Sequence, residues 1–337
     1  MKLQNEPLVS ITLPTYNRPD YLKLAIASAI NQTYKNIEII VSDNGSPESA
    51  QPIVDSFQDS RIRFHRYDPA VSMFDNHING FKMATGKYVA SLHDDDLWEK
   101  DFLEKMVPPL EENPNLILTF CNQWVIDEHG KINEERTFEY NHDIGRHKLK
   151  QQVYQPFMEV ALKDLAIQPA SSAVIRREAI DWNKIPVKVG PMWDVYLPYM
   201  LAKTGMGAYF IEEKLTLYRI HSESETGKYE TLAHKMKRAS SQMDCYSIIL
   251  AEEMDEPSLS PEMLSYIEYR WQHASTSMGI ALLKDSKVRE ARSYLFKSLT
   301  KRKPDIRTLA AFSISLMPHP SHHIREFILE HIVKAHD

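Results

Sequence analysis

Cysteine is nearly absent: Cys121 and Cys245 are the two found in 337 residues. Far apart in the chain, they form neither a disulfide framework nor a zinc-ligand spacing, and they suit a reducing compartment. Long apolar runs are missing too. A membrane-spanning helix needs roughly 18 consecutive apolar residues, and the richest stretch, 309–317, falls well short. The opening residues Met1-Lys2-Leu3-Gln4-Asn5-Glu6-Pro7 lack the apolar core of a signal peptide. The expectation is a cytoplasmic protein without a transmembrane span, with peripheral contact at the inner membrane face left open. Excess positive charge is also lacking. A net charge of −6, from 40 Lys and Arg against 46 Asp and Glu, removes the electrostatic footprint of a nucleic-acid binder. Repeats and low-complexity tracts are absent.

What remains is an ordinary globular composition, 43% hydrophobic and 26% charged, long enough for one large domain and a smaller one. One feature departs from the ordinary. His93-Asp94-Asp95-Asp96 follows directly on the apolar stretch 88–92. Three adjacent carboxylates at a strand end repel one another and call for a compensating cation. A hard divalent metal with oxygen ligands is the simplest candidate, and such a metal commonly brings phosphates with it.

The first half alternates apolar runs with helical patterns. Val9-Ser10-Ile11-Thr12-Leu13 is strand-like and stops at Pro14. A helix over 20–32 follows, with Leu22, Ala25, Ile26, Ala29 and Ile30 at helical spacing and Asp20 placed to cap it. The β-branched run 37–41 suits a strand buried on both faces. A strand over 61–66, a helix over 74–84 and a strand over 88–92, reset by Gly86, continue the pattern. This order predicts an α/β fold with right-handed crossovers and a mostly parallel central sheet flanked by helices. Farther on, 99–112 reads as a helix, 116–121 as a strand, 127–131 as a turn and 170–176 as a strand. The stretch 193–203 reads as an amphipathic helix and 209–220 as a closing pair of short strands. From 235 onward the texture is all-helical, as in 262–283 and 288–299. Two regions are therefore expected. The first, 1–234, divides into a nucleotide-binding half over 1–125 and an acceptor-side half over 126–234; the second is a helical region, 235–337.

Ligands of open α/β sheets bind outside the carboxyl ends of the strands. Three polar clusters fall there: Pro14-Thr15-Tyr16-Asn17, Ser42-Asp43-Asn44-Gly45-Ser46 and His93-Asp94-Asp95-Asp96. With their strands as parallel neighbours, all three line one crevice.

These segments, together with Ala84-Thr85-Gly86-Lys87 before the acidic turn and Leu97-Trp98 after it, resemble the family-2 glycosyltransferases. Those are inverting enzymes with the nucleotide-sugar-binding GT-A fold. The resemblance runs over 7–225 in order and spacing. It implies that Pro14, Thr15, Tyr16 and Asn17 pack on the nucleobase, with the Tyr16 ring stacked on it. Asp43 would accept the imide N–H of uracil or thymine, which favours a UDP- or dTDP-sugar. Asp94 would lie near the ribose and Asp95 would be the main ligand of Mn²⁺ or Mg²⁺, supported by Asp96. His93 stands where the family usually carries another acid. Asn76 matches a position that approaches the donor. Leu217-Tyr218-Arg219-Ile220-His221 resembles a further family element, giving Arg219 to the diphosphate and His221 to the metal. The acidic pair the family places before Trp-Asp is replaced here by Pro191 and Met192, leaving Asp194 as the candidate base.

The implied activity is transfer of a hexosyl or N-acetylhexosaminyl unit to a hydroxyl of a growing glycan, free or lipid-linked, such as a cell-surface polysaccharide. Two alternatives stay open: a silent sugar-nucleotide-binding scaffold, and a nucleotidyltransferase making NDP-sugars. The second is disfavoured because no Gly-rich, cationic loop follows the first strand. The C-terminal stretches 305–312, 318–320 and 324–332 mix apolar and basic residues. A helical tail packed on its own domain or on a second subunit is preferred there to a membrane contact, since Glu326, Glu330 and Asp337 dilute the basic face. His319, His322 and His323 read as surface residues.

Overall fold

Strands β1 (Val9–Thr15) and β2 (Ile37–Asp43) are buried along almost their whole length, as β-branched runs inside a parallel sheet should be. They lie in the first of two compact units, 1–221; the second is 222–337. The computed structural model describes residues 6–222, 231–301 and 305–317.

Helices α1 (Pro19–Ile30) and α2 (Gln51–Ser56), strand β3 (Ile62–Arg66), helix α3 (Met73–Met83) and strand β4 (Tyr88–Ser91) complete an alternating run. The neighbours β3-β2-β1-β4 are all parallel. Their register sets Thr15 beside Asp43, Asp43 beside Arg66, and Thr12 beside Ser91. The carboxyl ends therefore share one edge. Gly86 makes this close pairing possible. A Cβ there would stand 2.6 Å from the Leu8 carbonyl oxygen and 2.8 Å from the Ser10 nitrogen. The Ser10 hydroxyl instead accepts N–H bonds from Thr85 and Gly86 and donates to Glu38.

The rest of the sheet is mixed. It uses β5 (Leu97–Trp98), α4 (Phe102–Glu112), β6 (Leu116–Ile126), α5 (Glu134–Asp143), β7 (Val153–Tyr154), α6 (Met158–Leu162), β8 (Ala173–Arg176), α7 (Trp193–Lys203) and β9 (Gly207–Arg219). Strand β8 lies antiparallel between β4 and β6, β9 runs parallel to β6, and β5 and β7 pair antiparallel with β9.

Four local expectations shift. The helix expected from 99 starts at Phe102, because Leu97 and Trp98 pair with β9 and the Glu99 N–H donates to the Leu215 carbonyl at 2.9 Å. Of the stretch 209–220, residues 209–219 lie in one 13-residue strand rather than two short ones. Strand β6 runs past Cys121 to Ile126 beside it, and register shifts around Asn122 absorb the polar interruption Glu212-Glu213-Lys214. Residues 170–172 form a short 3₁₀ turn before β8.

The second unit is helical: α8 (Leu232–Asp255), α9 (Pro261–Lys284), α10 (Val288–Lys301) and α11 (Ile306–Leu316). Thr231, Ser260 and Asp305 cap three of these helices by accepting N–H bonds from His234, Met263 and Thr308. Met278, Leu282, Leu295 and Ile314 belong to its core. No helix among the described residues is long and apolar enough to cross a membrane. The expectations for 318–320, 324–332, His319, His322 and His323 lie outside the described residues.

Candidate active site

The three polar clusters are joined by hydrogen bonds at the shared strand edge. The Thr15 hydroxyl donates to Asp94 Oδ2 at 2.8 Å and the Tyr16 N–H donates to the same oxygen at 3.3 Å. The Asn17 N–H donates to Ser46 Oγ at 2.8 Å, and the Ser46 N–H donates to Asp43 Oδ1 at 2.9 Å. Asn17 turns the chain here with φ 54°, a left-handed conformation that asparagine tolerates. Tyr16 is 54% exposed, so its ring is open to the crevice.

Asp43 is fully buried and also accepts from the Ala50 N–H at 3.2 Å and Arg66 Nη1 at 2.5 Å. Burial acts to raise its pKa, but these donors outweigh it and keep the carboxyl below its usual range. Asn76, buried beneath, accepts from the Ser42 hydroxyl at 2.6 Å and donates to the Ser42 carbonyl at 3.3 Å.

Each carboxylate of the acidic turn has different surroundings. Asp94 is pushed up to about 6 by burial and the charge of Asp95, although Arg18 and Thr15 donate to it. For Asp95, burial is outweighed by His221, Arg18 and His93, and the group stays below the usual carboxylate range. Asp96 is raised well above its ordinary value by burial and by Asp95. It accepts from the Ser171 hydroxyl at 2.8 Å and the Arg219 N–H at 3.0 Å. Arg18 Nη1 stands 3.0 Å from Asp94 Oδ1 and 2.6 Å from Asp95 Oδ2, so the protein supplies one compensating cation itself. His221 Nε2 lies 3.2 Å from Asp95 Oδ2. The Arg219 guanidinium donates to the carbonyls of Asp95, Asp127 and Glu128, tying the acidic turn to the turn after β6.

One group of side chains could hold a cation. One ligand atom each from His93, Asp95 and Asp96 lies within 4.8 Å of the others. His93 Nε2 is a buried atom without a hydrogen-bond partner among the described residues. Two carboxylates and an imidazole suit a divalent ion, manganese as readily as magnesium.

Asp194 sits in the first turn of α7. Burial pushes its carboxyl up to about 7, against backbone N–H bonds that favour the anion. The helix is held in place by Trp193, whose buried ring lies 5.1 Å from the His77 ring, 5.8 Å from Phe81 and 6.5 Å from His93. Trp193 thus couples the α7 start to the acidic turn. The sequence alone does not single out Arg18, His77 or Trp193. For Arg18 a signal exists, since it directly follows the first polar cluster; for His77 only the fold reveals the contact.

A sequence profile described as glycosyl transferase family 2 matches residues 10–181, just over half of the chain. The chain belongs to this family. Among curated relatives, an uncharacterised glycosyltransferase of Methanocaldococcus jannaschii is 37% identical over 39% of this chain and 47% of its own length. A second, from Escherichia coli, is the UDP-Glc:α-D-GlcNAc-diphosphoundecaprenol β-1,3-glucosyltransferase WfgD, 31% identical over 40% of this chain and 54% of that protein. The chain spans about half the length of these two relatives. Among solved structures, the mannosyltransferase PcManGT from Pyrobaculum calidifontis, in complex with GDP-Man and Mn²⁺, aligns with TM-score 0.57 and 15% identity. That alignment covers 98% of this chain and 86% of PcManGT. S. aureus TarS in complex with UDP aligns with TM-score 0.54 and 12% identity, over 97% of this chain and 91% of that one. At such identities the likeness establishes the GT-A fold.

Proposed function

We propose that this family-2 chain is a divalent-metal-dependent, inverting glycosyltransferase that moves a sugar from a nucleotide-sugar to a hydroxyl of a growing glycan. The observation that carries the reading is the hydrogen-bonded convergence of Thr15, Tyr16, Asn17, Ser46 and Asp94 on one strand edge, beside the cation-binding triad. A uridine donor is favoured. Tyr16 offers an open ring to stack on the base, and a carboxylate accepts about four hydrogen bonds, of which Asp43 has three in use. The resemblance gives the remaining position to the imide N–H of uracil, which must reach a carboxylate that is fully buried here. TarS in complex with UDP and WfgD with its UDP-Glc donor support the same choice. WfgD also supports a lipid-linked glycan acceptor.

Asp95, Asp96 and His93 would hold the ion, with His221 orienting Asp95. When bound, the ion supplies Lewis-acid stabilisation of charge on the departing nucleoside diphosphate. The resemblance gives the diphosphate to Arg219. Since its guanidinium bonds to three main-chain carbonyls, we assign that contact to Arg18, half-buried beside the acidic turn, and to Arg219 the positioning of Asp95. Asp94 would lie near the ribose. Asp194 takes the proton of the acceptor hydroxyl as that oxygen attacks the anomeric carbon opposite the leaving nucleotide. A pKa near 7 suits a base working at neutral pH.

Pro191 and Met192 in place of an acidic pair favour one rival, a scaffold that binds sugar nucleotide without turnover. Incubation with UDP-sugars and Mn²⁺, following UDP release, separates the two. Release that falls in Asp95→Ala and in Asp194→Asn supports the enzyme. Release that needs Asp95 but not Asp194 removes the base assignment, and UDP binding without turnover on any acceptor favours the scaffold.

A further inference from the structure

On the acceptor side of the first unit, β6, α5, the turn after α5 and β9 line an open cavity of about 400 Å³. That size is typical of small-molecule sites, which span about 300–1,000 Å³. Its polar groups are unusually incomplete. Asn122 gives its amide hydrogen to the Glu212 carbonyl at 2.8 Å, and Asn141 gives both of its hydrogens, to the Gln123 and Thr137 carbonyls. Among the described residues, the buried side-chain oxygens of both accept nothing, and Gln123 Nε2 behind them donates to nothing. These orientations are fixed, because flipping either asparagine would set oxygen against a carbonyl oxygen. Buried polar atoms are paired in the great majority of native sites, so two lining asparagines with unpaired acceptor oxygens suit a hydroxyl-rich ligand.

The charge is equally uneven. Among the described residues, Arg146, buried at the cavity, bonds only to neutral partners: the Gln123 amide oxygen, the Ala166 and Gln168 carbonyls and the Ser172 hydroxyl. Burial pushes its pKa down to about 10, the mark of a cation without a carboxylate beside it. Lys214 stands 4.4 Å over the Trp124 ring on the same wall. Glu134, exposed, is the one carboxylate among the lining residues. Phe138, 72% exposed, offers a flat apolar face of the kind sugars stack on. Tyr140, next to Asn141, lies within electrostatic reach of Arg146, Asp194 and Asp96 alike.

We propose that this cavity is an acceptor subsite that holds a negatively charged sugar unit, its uronate carboxylate or phosphate set toward Arg146 and Lys214. The inference rests on the glycosyltransferase reading for the word acceptor, and on the cavity alone for the ligand class. Calorimetric titration of the full chain with trigalacturonate, mannose 6-phosphate and maltotriose tests it. Trigalacturonate tests the carboxylate source and mannose 6-phosphate the phosphate source. At least one anionic probe is expected to bind tenfold or more tightly than maltotriose. Lys214→Ala is expected to weaken it about tenfold and Phe138→Ala severalfold, with Lys214→Arg restoring most of the affinity. Equal binding of maltotriose, no binding by any probe, or binding indifferent to Lys214→Ala overturns the proposal. UDP with Mn²⁺ is titrated into the same wild-type protein. UDP binding without saccharide binding removes the subsite and leaves the function standing, whereas saccharide binding without UDP binding does the reverse.

Discussion

The strand edge proposed for the donor and the cavity proposed for the acceptor differ in how they satisfy their charged groups, although each keeps buried polar atoms without a partner among the described residues. At the donor edge, Asp43 and Asp94 are held by short contacts from Ser46, Ala50, Arg66, Thr15 and Arg18, all within the contiguous segments that end or follow β1, β2, β3 and β4. Around the cavity, Asn122, Gln123 and Asn141 keep open hydrogen-bonding atoms, and Arg146 has neutral partners only, among the described residues. The first arrangement is preorganised for a ligand common to many enzymes. The second leaves its specificity in unpaired groups, which suits a ligand particular to this chain.

The largest effect that sharpens this contrast is expected at Asp194. Asp194→Asn should lower turnover by about 10²–10⁴, the usual contribution of a positioned base, while UDP affinity stays unchanged. The wild-type rate should fall as pH drops below about 7, because the carboxyl is then protonated and cannot accept a proton. A pH–rate profile with no such limb would remove Asp194 from the chemistry. Next comes Trp193→Ala, which deletes the ring packed between His77 and Phe81. Large-to-small changes of this kind cost about 3–5 kcal/mol. A lowered unfolding midpoint in denaturant is the expected readout, and an unchanged midpoint would mean that α7 is anchored elsewhere.

Arg18 tests the donor edge from within. In Arg18→Ala, Asp95 loses a competing cation, so Mn²⁺ alone should bind several-fold more tightly while UDP binds more weakly. Both affinities falling together in titrations would break the assignment. The smallest effect concerns Glu38, which joins β2 to β1 and to the loop before β4. Burial pushes its carboxyl up, but donors from Ser10, Thr85 and Arg63 prevail and hold it at about 2. Its contribution is full above the unfolded carboxyl pKa of about 4.3 and is lost as pH falls toward 2. Glu38→Gln should therefore cost about 1–3 kcal/mol at neutral pH and progressively less below pH 4, read from thermal melts across pH.

Legibility followed the same division. The β1, β2 and β4 ends with their polar clusters could be read directly, since each strand is a short apolar run and its functional residues come next in the chain. What could not be read depends on residues distant in sequence. Leu97 and Trp98 look like the approach to a helix until β9 pairs with them. Lys214 meets Asn122 only because β6 and β9 bulge together there. The His93–Trp193 contact brings together residues 100 positions apart, which periodicity does not encode. Arg219 matched a motif, yet its role turns on three carbonyls supplied by other segments.

We propose the strand edge bearing Asp94, Asp95 and Asp96 as a metal-assisted nucleoside-diphosphate site. Calorimetric titration of UDP into wild-type protein and Asp95→Ala, each with Mn²⁺ and with a chelator, tests it most directly. UDP binding should strengthen at least tenfold with Mn²⁺ in the wild type and lose that gain in Asp95→Ala. UDP binding that is indifferent to Mn²⁺, or a Mn²⁺ gain that survives Asp95→Ala, would contradict it.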